Sequence, residues 1–185
     1  MRVPALLLIL LTAACAGPPA PLQDASGAGA NFKSPGDTVN LSSAGDFTAT
    51  DTAAIAYDRK LVPEGAQASV SVESTGGKTR TSLVVEGLRP DRRYGAHLHA
   101  KPCGKKPDDS GPHYQHHPGQ ITPASEVWLD VTTDAEGSGR SSARNDWALD
   151  PAKMPGSLVI HAQPTVTSGP EVGTAGARVA CLTLK

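Results

Sequence analysis

The sequence predicts an all-β domain built as a β-sandwich or a flattened barrel. Three observations lead there. Short segments alternate apolar and polar residues with the period of two expected of half-buried strands. Turn residues separate these segments. No stretch carries the apolar spacing of an amphipathic helix.

The strands follow in order. "TAAIAYD", from Thr52, is the first. "ASVSVES" puts Val70 and Val72 on one face, with serines between. Gly76-Gly77 then reads as a hairpin turn. "TRTSLVVEG" continues the alternation through Thr79, Thr81, Leu83 and Val85. "YGAHLHA" is a further strand, and "SEVWLDVTT" sets Val127, Leu129 and Val131 opposite Trp128. After the "EGS" turn, a short strand runs near Gly139 to Arg144. "GSLVIHA" and "GARVACLTL" complete a set of about eight strands. Two long irregular segments remain, Ala100 to Ser125 and Gln163 to Thr174. On a small β-scaffold such loops commonly carry function.

The chain of 185 residues divides into three parts. Residues 1–15 read as an export signal, with Arg2 as the basic start and Val3 to Leu11 as the apolar core. That apolar run is too short to span a bilayer. Thr12, Ala13 and Ala14 precede Cys15 and resemble a lipoprotein cleavage box, which makes Cys15 the lipidated first residue of the mature chain. Ordinary cleavage after Ala16 is the alternative, and both readings export the protein. Residues 16–38, rich in Ala, Gly, Pro and Ser, read as a flexible tether. Residues 39–185 suit one domain. The expected location is the outer face of a bacterial cell membrane, or the periplasm, with membrane contact only through the lipid.

The formal net charge is −1, and loss of Arg2 lowers it by one. No concentrated basic patch points to nucleic acid. If Cys15 is lipidated or removed, Cys103 and Cys181 are left. In an exported protein such a pair predicts a disulfide, with two buried thiols as the alternative.

The six histidines are His97, His99, His113, His116, His117 and His161. Five fall within one short stretch. On a strand, His97 and His99 point to the same face, with Cα atoms about 6.5–7 Å apart, so they can converge on one ion. His113 lies in the loop that follows, and His161 must be brought in by tertiary pairing. Imidazole clusters suit Zn, Cu, Ni or Fe; four histidines without a thiolate lean toward copper, with zinc as competitor.

"GAHLHAKPC", "GPHYQHHPG", "LVIHA" and "GTAGARVAC" occur in that order. With these motifs the chain, over Val70 to Lys185, resembles the Cu/Zn superoxide dismutase family in its bacterial secreted branch. The resemblance implies an eight-stranded Greek-key barrel or sandwich. It implies His97, His99, His113 and His161 as copper ligands, and Arg178 as the arginine that guides and holds the superoxide anion. It also implies a Cys103–Cys181 disulfide tying the metal-site loop to the last strand.

The family's zinc site does not carry over. His113 matches the bridging ligand and His117 the next, but Ala124 and Val127 stand where the family has a His and an Asp. Zinc is therefore not expected, with Glu126 the nearest carboxylate and His116 and His117 solvated or weak extra ligands. The family also carries an Asp between the late His and the Arg that supports the ligand rings. Between His161 and Arg178 the chain has Glu171 alone, which predicts a poorly supported copper site.

The expected function is dismutation of superoxide to dioxygen and hydrogen peroxide at a copper-only site, as a defence against extracytoplasmic superoxide. A non-catalytic copper-binding or copper-buffering lipoprotein on the same fold is the rival. A surface β-sandwich with an incidental histidine cluster is the third reading.

Overall fold

The computed structural model describes residues 38–185. The expected signal segment, Cys15 and nearly all of the tether lie outside the described residues. Among the described residues ten strands run in chain order: β1 Val39–Asp46, β2 Ala54–Ala56, β3 Gln67–Thr75, β4 Lys78–Glu86, β5 Arg93–Tyr94, β6 Ala96–His99, β7 Val131–Thr132, β8 Gly139–Asn145, β9 Ser157–His161 and β10 Arg178–Thr183. A 3-10 turn covers Pro107–Ser110.

Two antiparallel four-stranded sheets form the body. The first has order β1-β3-β4-β8, the second β2-β10-β9-β6, and β5-β7 is a small separate ladder. The sheets are not closed into a barrel, so the fold is the sandwich form of the expected architecture.

The β3–β4 hairpin shows how the sequence specifies the first sheet. Gly76 and Gly77 both have positive φ, 58° and 78°, as the tight turn between right-twisted strands requires. That turn sets Thr75 opposite Lys78 and puts Val70, Val72, Leu83 and Val85 on one buried face. The second sheet packs Leu98, Leu158, Ile160 and Leu182 against them in one apolar cluster.

Two elements differ from the sequence reading. β1 is a full strand that its composition conceals: as an edge strand it buries alternate residues only partly, and it has little apolar alternation to offer. "SEVWLDVTT" forms a ladder only at β7. Val127, Leu129 and Val131 are buried together as expected. The backbone before β7 touches β6 through single bonds, Leu129 N to Ala96 O at 2.7 Å among them.

β6 and β9 are buried on both faces, unlike the strands of the first sheet. Their outer face carries His97, His99 and His161, and the long loops cover it. Gly95 makes the close approach possible. A Cβ there would lie 2.6 Å from Ala175 Cβ and 2.9 Å from Gln163 O. Without one, the backbone exchanges 2.7 Å bonds with Gln163 O and His161 N.

Candidate metal centre

Strand register assembles the first parts of the site. His97 pairs with Val159 across β6–β9, and His161 pairs with Arg178 across β9–β10. The period-two pleat therefore puts His97, His99 and His161 on one face, with Arg178 alongside. A bulge between Arg178 and Ala180 shifts the register at that point. His113 arrives from the loop as a β-bridge partner of His99. The result is a group of four histidines whose inner nitrogens all lie within 4.8 Å of one another. Among the described residues no other His, Cys, Asp or Glu group of this kind occurs.

Hydrogen bonds on the outer side of each ring fix the tautomers. His99 Nδ1 donates to Gly111 O at 2.9 Å, and His161 Nδ1 to Gly176 O at 3.1 Å. His113 Nδ1 donates to Glu126 Oε2 at 2.8 Å. His97 Nε2 lies 2.7 Å from Thr165 Oγ1. The Thr165 hydroxyl gives its one hydrogen to Asp130 Oδ1 and so accepts from His97. Asp130 Oδ2 also takes the Thr165 backbone N–H at 2.7 Å.

With each outer nitrogen holding the ring's proton, four lone pairs face one another. His97 Nδ1 and His113 Nε2 are 3.1 Å apart, His99 Nε2 and His161 Nε2 3.4 Å. No proton remains to join either pair, and such a set is suited to a cation. An all-imidazole set fits a borderline transition metal such as copper or zinc.

Burial supports the neutral, ligating form of the rings. It is the main cause that pushes the His97 pKa far below the ordinary value. Burial likewise lowers His99 to about 2, against the Gly111 carbonyl, which favours the proton. His161 is lowered to about 4, again mainly by burial, against the Gly176 carbonyl. These groups bind protons more weakly folded than unfolded, so their contribution is fully present above about pH 6.5. It is lost as pH falls toward the folded values. The metal-free protein should lose on the order of 3 kcal/mol through His161 between about pH 6.5 and 4. Denaturant titrations across that range check it; a flat stability profile would contradict it.

Glu126 is the residue that sequence reasoning left without a role. It is 1% exposed and takes three donors: His113 Nδ1, Trp128 Nε1 at 2.7 Å and Gln115 Nε2 at 2.8 Å. Burial opposes its charge, but these bonds prevail and hold its pKa below the usual carboxylate range. Glu126 thus engages the His113 nitrogen that faces away from the cluster. Neither His116 nor His117 joins the group. His117 is exposed, and His116 stacks on Trp147 with ring centroids 4.6 Å apart and planes 3° from parallel.

The expectation of a poorly supported site is corrected. The segment between His161 and Arg178 does lack an Asp, but Asp130 supports His97 from β7's approach through Thr165. No local signal reveals this, because 35 positions separate the two residues.

Arg178 Nη1 donates to Pro107 O at 3.0 Å and to Ser110 Oγ at 2.9 Å. The 3-10 turn therefore fixes the guanidinium. Arg178, His113 and His161 line a cavity of about 480 Å³ together with Pro112, Ile121 and Val172. Cys103 and Cys181 form the expected disulfide, which anchors the loop to β10.

No protein-family model matches the chain, and no curated protein matches it. Among solved structures the chain is similar to the Cu/Zn superoxide dismutase from Brucella abortus. The TM-score is 0.55 and the identity 18%, with 80% of this chain and 100% of that chain covered. The fold is thus that of the Cu/Zn superoxide dismutases, and upon it sits a largely buried four-histidine group able to hold a metal ion.

Proposed function

We propose that the chain is an exported copper-dependent superoxide dismutase, with His97, His99, His113 and His161 as the ligands of one copper ion. The observation that carries this reading is the set of four converging lone pairs, each fixed by a partner on the far side of its ring. Bound copper supplies a one-electron couple, oxidising one superoxide anion to dioxygen and reducing a second, with two protons, to hydrogen peroxide.

The protein's own residues do the rest. Arg178 offers a fixed positive charge at the cavity wall, suited to a small anion. His113 is the ligand most open to solvent, with 19% of its side chain exposed. It can take a proton at Nε2 and release it again, while Glu126 at Nδ1 holds the ring in place and stabilises the imidazolium. Because Glu126 engages Nδ1, His113 has a partner there without a second metal, and this favours a copper-only site over a copper–zinc pair. The Cys103–Cys181 disulfide supports an oxidising compartment, in keeping with export and a lipid anchor at Cys15.

Stripping the protein of metal and reloading it with copper tests the reading. One equivalent of copper should bind and superoxide decay should accelerate. Binding at one equivalent with decay at the metal-free background would instead make the protein a copper holder. Arg178→Ala should cut turnover by about 10-fold or more by removing electrostatic attraction, yet leave copper affinity unchanged. A pure copper buffer has no use for this arginine and predicts no such split.

A further inference from the structure

Asn145 ends β8, in the sheet that carries none of the site histidines. It is buried, and its side-chain Oδ1 has no hydrogen-bond partner among the described residues. Its Nδ2 is heavily used, donating to Pro123 O at 3.0 Å and to Glu126 O at 3.2 Å. The partners decide the amide orientation, since a flipped amide would set Oδ1 against two carbonyl oxygens. A buried acceptor left unsatisfied is uncommon. Here it accompanies two donors aimed at the segment that ends in Glu126.

Trp147 adds a third hold. Its Nε1 donates to Ala124 O at 2.8 Å. The Trp147 backbone is itself pinned by Thr79 Oγ1, which donates to its carbonyl at 2.7 Å. Two residues on, Leu149 N donates to Ser74 Oγ at 2.8 Å. Thr79 and Ser74 are both buried in the first sheet. The segment's own turn, closed by Glu126 N to Thr122 O at 2.8 Å, is therefore seated on the first sheet through its carbonyls.

We propose that Asn145 and Trp147 are positioning residues of the metal centre. They set the place of residues 123–126, and so the reach of Glu126 to Nδ1 of His113. The first sheet thereby governs the orientation of a ligand that the second sheet and its loop present. This inference rests on the copper reading of the site, but part of its test does not need copper.

Asn145→Leu removes both donors at similar volume and also removes the orphaned oxygen. Trp147→Phe removes only the Nε1–H and keeps a ring for His116 to stack on, so it pulls the same lever more gently. In metal-free protein, the His113 Nδ1–H should be visible by NMR as a protected proton. Its exchange should quicken in both variants. In copper-loaded protein, both variants should show altered Cu(II) electron paramagnetic resonance, and copper affinity should fall about 10- to 100-fold, as for other losses of ligand support. In a Glu126→Gln background, Asn145→Leu should change neither the spectrum nor the affinity further.

Faster His113 Nδ1–H exchange, with the copper effects absorbed by Glu126→Gln, supports the inference. An unchanged His113 signal and copper spectrum, with only thermal stability altered, overturns it. So does a full additional effect in the Glu126→Gln background. If the wild-type protein binds no copper, the copper reading fails, and the metal-free exchange measurement still decides whether Asn145 and Trp147 hold Glu126 against His113.

Discussion

His161→Ala is expected to abolish tight copper binding. Losing an outer partner of a ligand commonly costs about 10- to 100-fold in affinity, and losing the ligand itself should cost more. His161 sits on β9 between β6 and β10, opposite Arg178 in the ladder, so no other imidazole can swing into its place. His116 stacks on Trp147 and His117 is exposed, away from the cluster. The substitution should also move the metal-free protein. Without His161, the acid-induced loss of stability between about pH 6.5 and 4 should shrink, because one of the groups that must be deprotonated to fold is gone. Competition titration with a copper chelator reads the first effect and denaturant unfolding at two pH values the second. Retention of wild-type affinity would remove His161 from the ligand set.

Breaking the disulfide is the second large effect. Cys103 and Cys181 are 78 positions apart, and the chain-entropy model assigns a loop of that length about 4–5 kcal/mol. That is a large part of the stability of a domain of this size. The paired substitution Cys103→Ser with Cys181→Ser should therefore lower the unfolding free energy by several kcal/mol. The site should suffer as well. Cys103 begins the loop that supplies Gly111 O to His99 and Pro107 O to Arg178. Two bonds near the bridge would still hold that loop: Cys103 N to Thr183 Oγ1 at 3.1 Å and Tyr57 OH to Gly104 O at 2.8 Å. Copper affinity and superoxide turnover should fall with stability, and turnover more steeply, because Arg178 depends on the 3-10 turn. Chemical unfolding with and without reductant, alongside copper titration, measures both. Equal stability of the oxidised and reduced protein would contradict the account.

Different parts of the site differ in how far the sequence exposes them. His97 and His99 are legible because a strand has period two and the pair is local. The β3–β4 hairpin is legible for the same reason, with Gly76-Gly77 as its turn. Arg178 and the cysteine pair become legible through the motifs around them. β1 is obscured because an edge strand needs little apolar alternation. Glu126 stands out as a nearby carboxylate, but nothing local says which atom it meets.

The sequence by itself determined an all-β domain of sandwich or barrel form, because strand periodicity is a property of short segments. The four candidate ligands and the expected disulfide followed from the family resemblance that the order of the motifs carries. The tertiary structure alone decided the tautomers. Each outer imidazole nitrogen finds its partner across a loop or a strand: Thr165 and Asp130, Gly111, Glu126 and Gly176. Hydrogen bonds between residues far apart in the chain depend on where loops come to rest, and that is set by packing rather than by spacing. Those four bonds turn a cluster of histidines into four lone pairs aimed at one point.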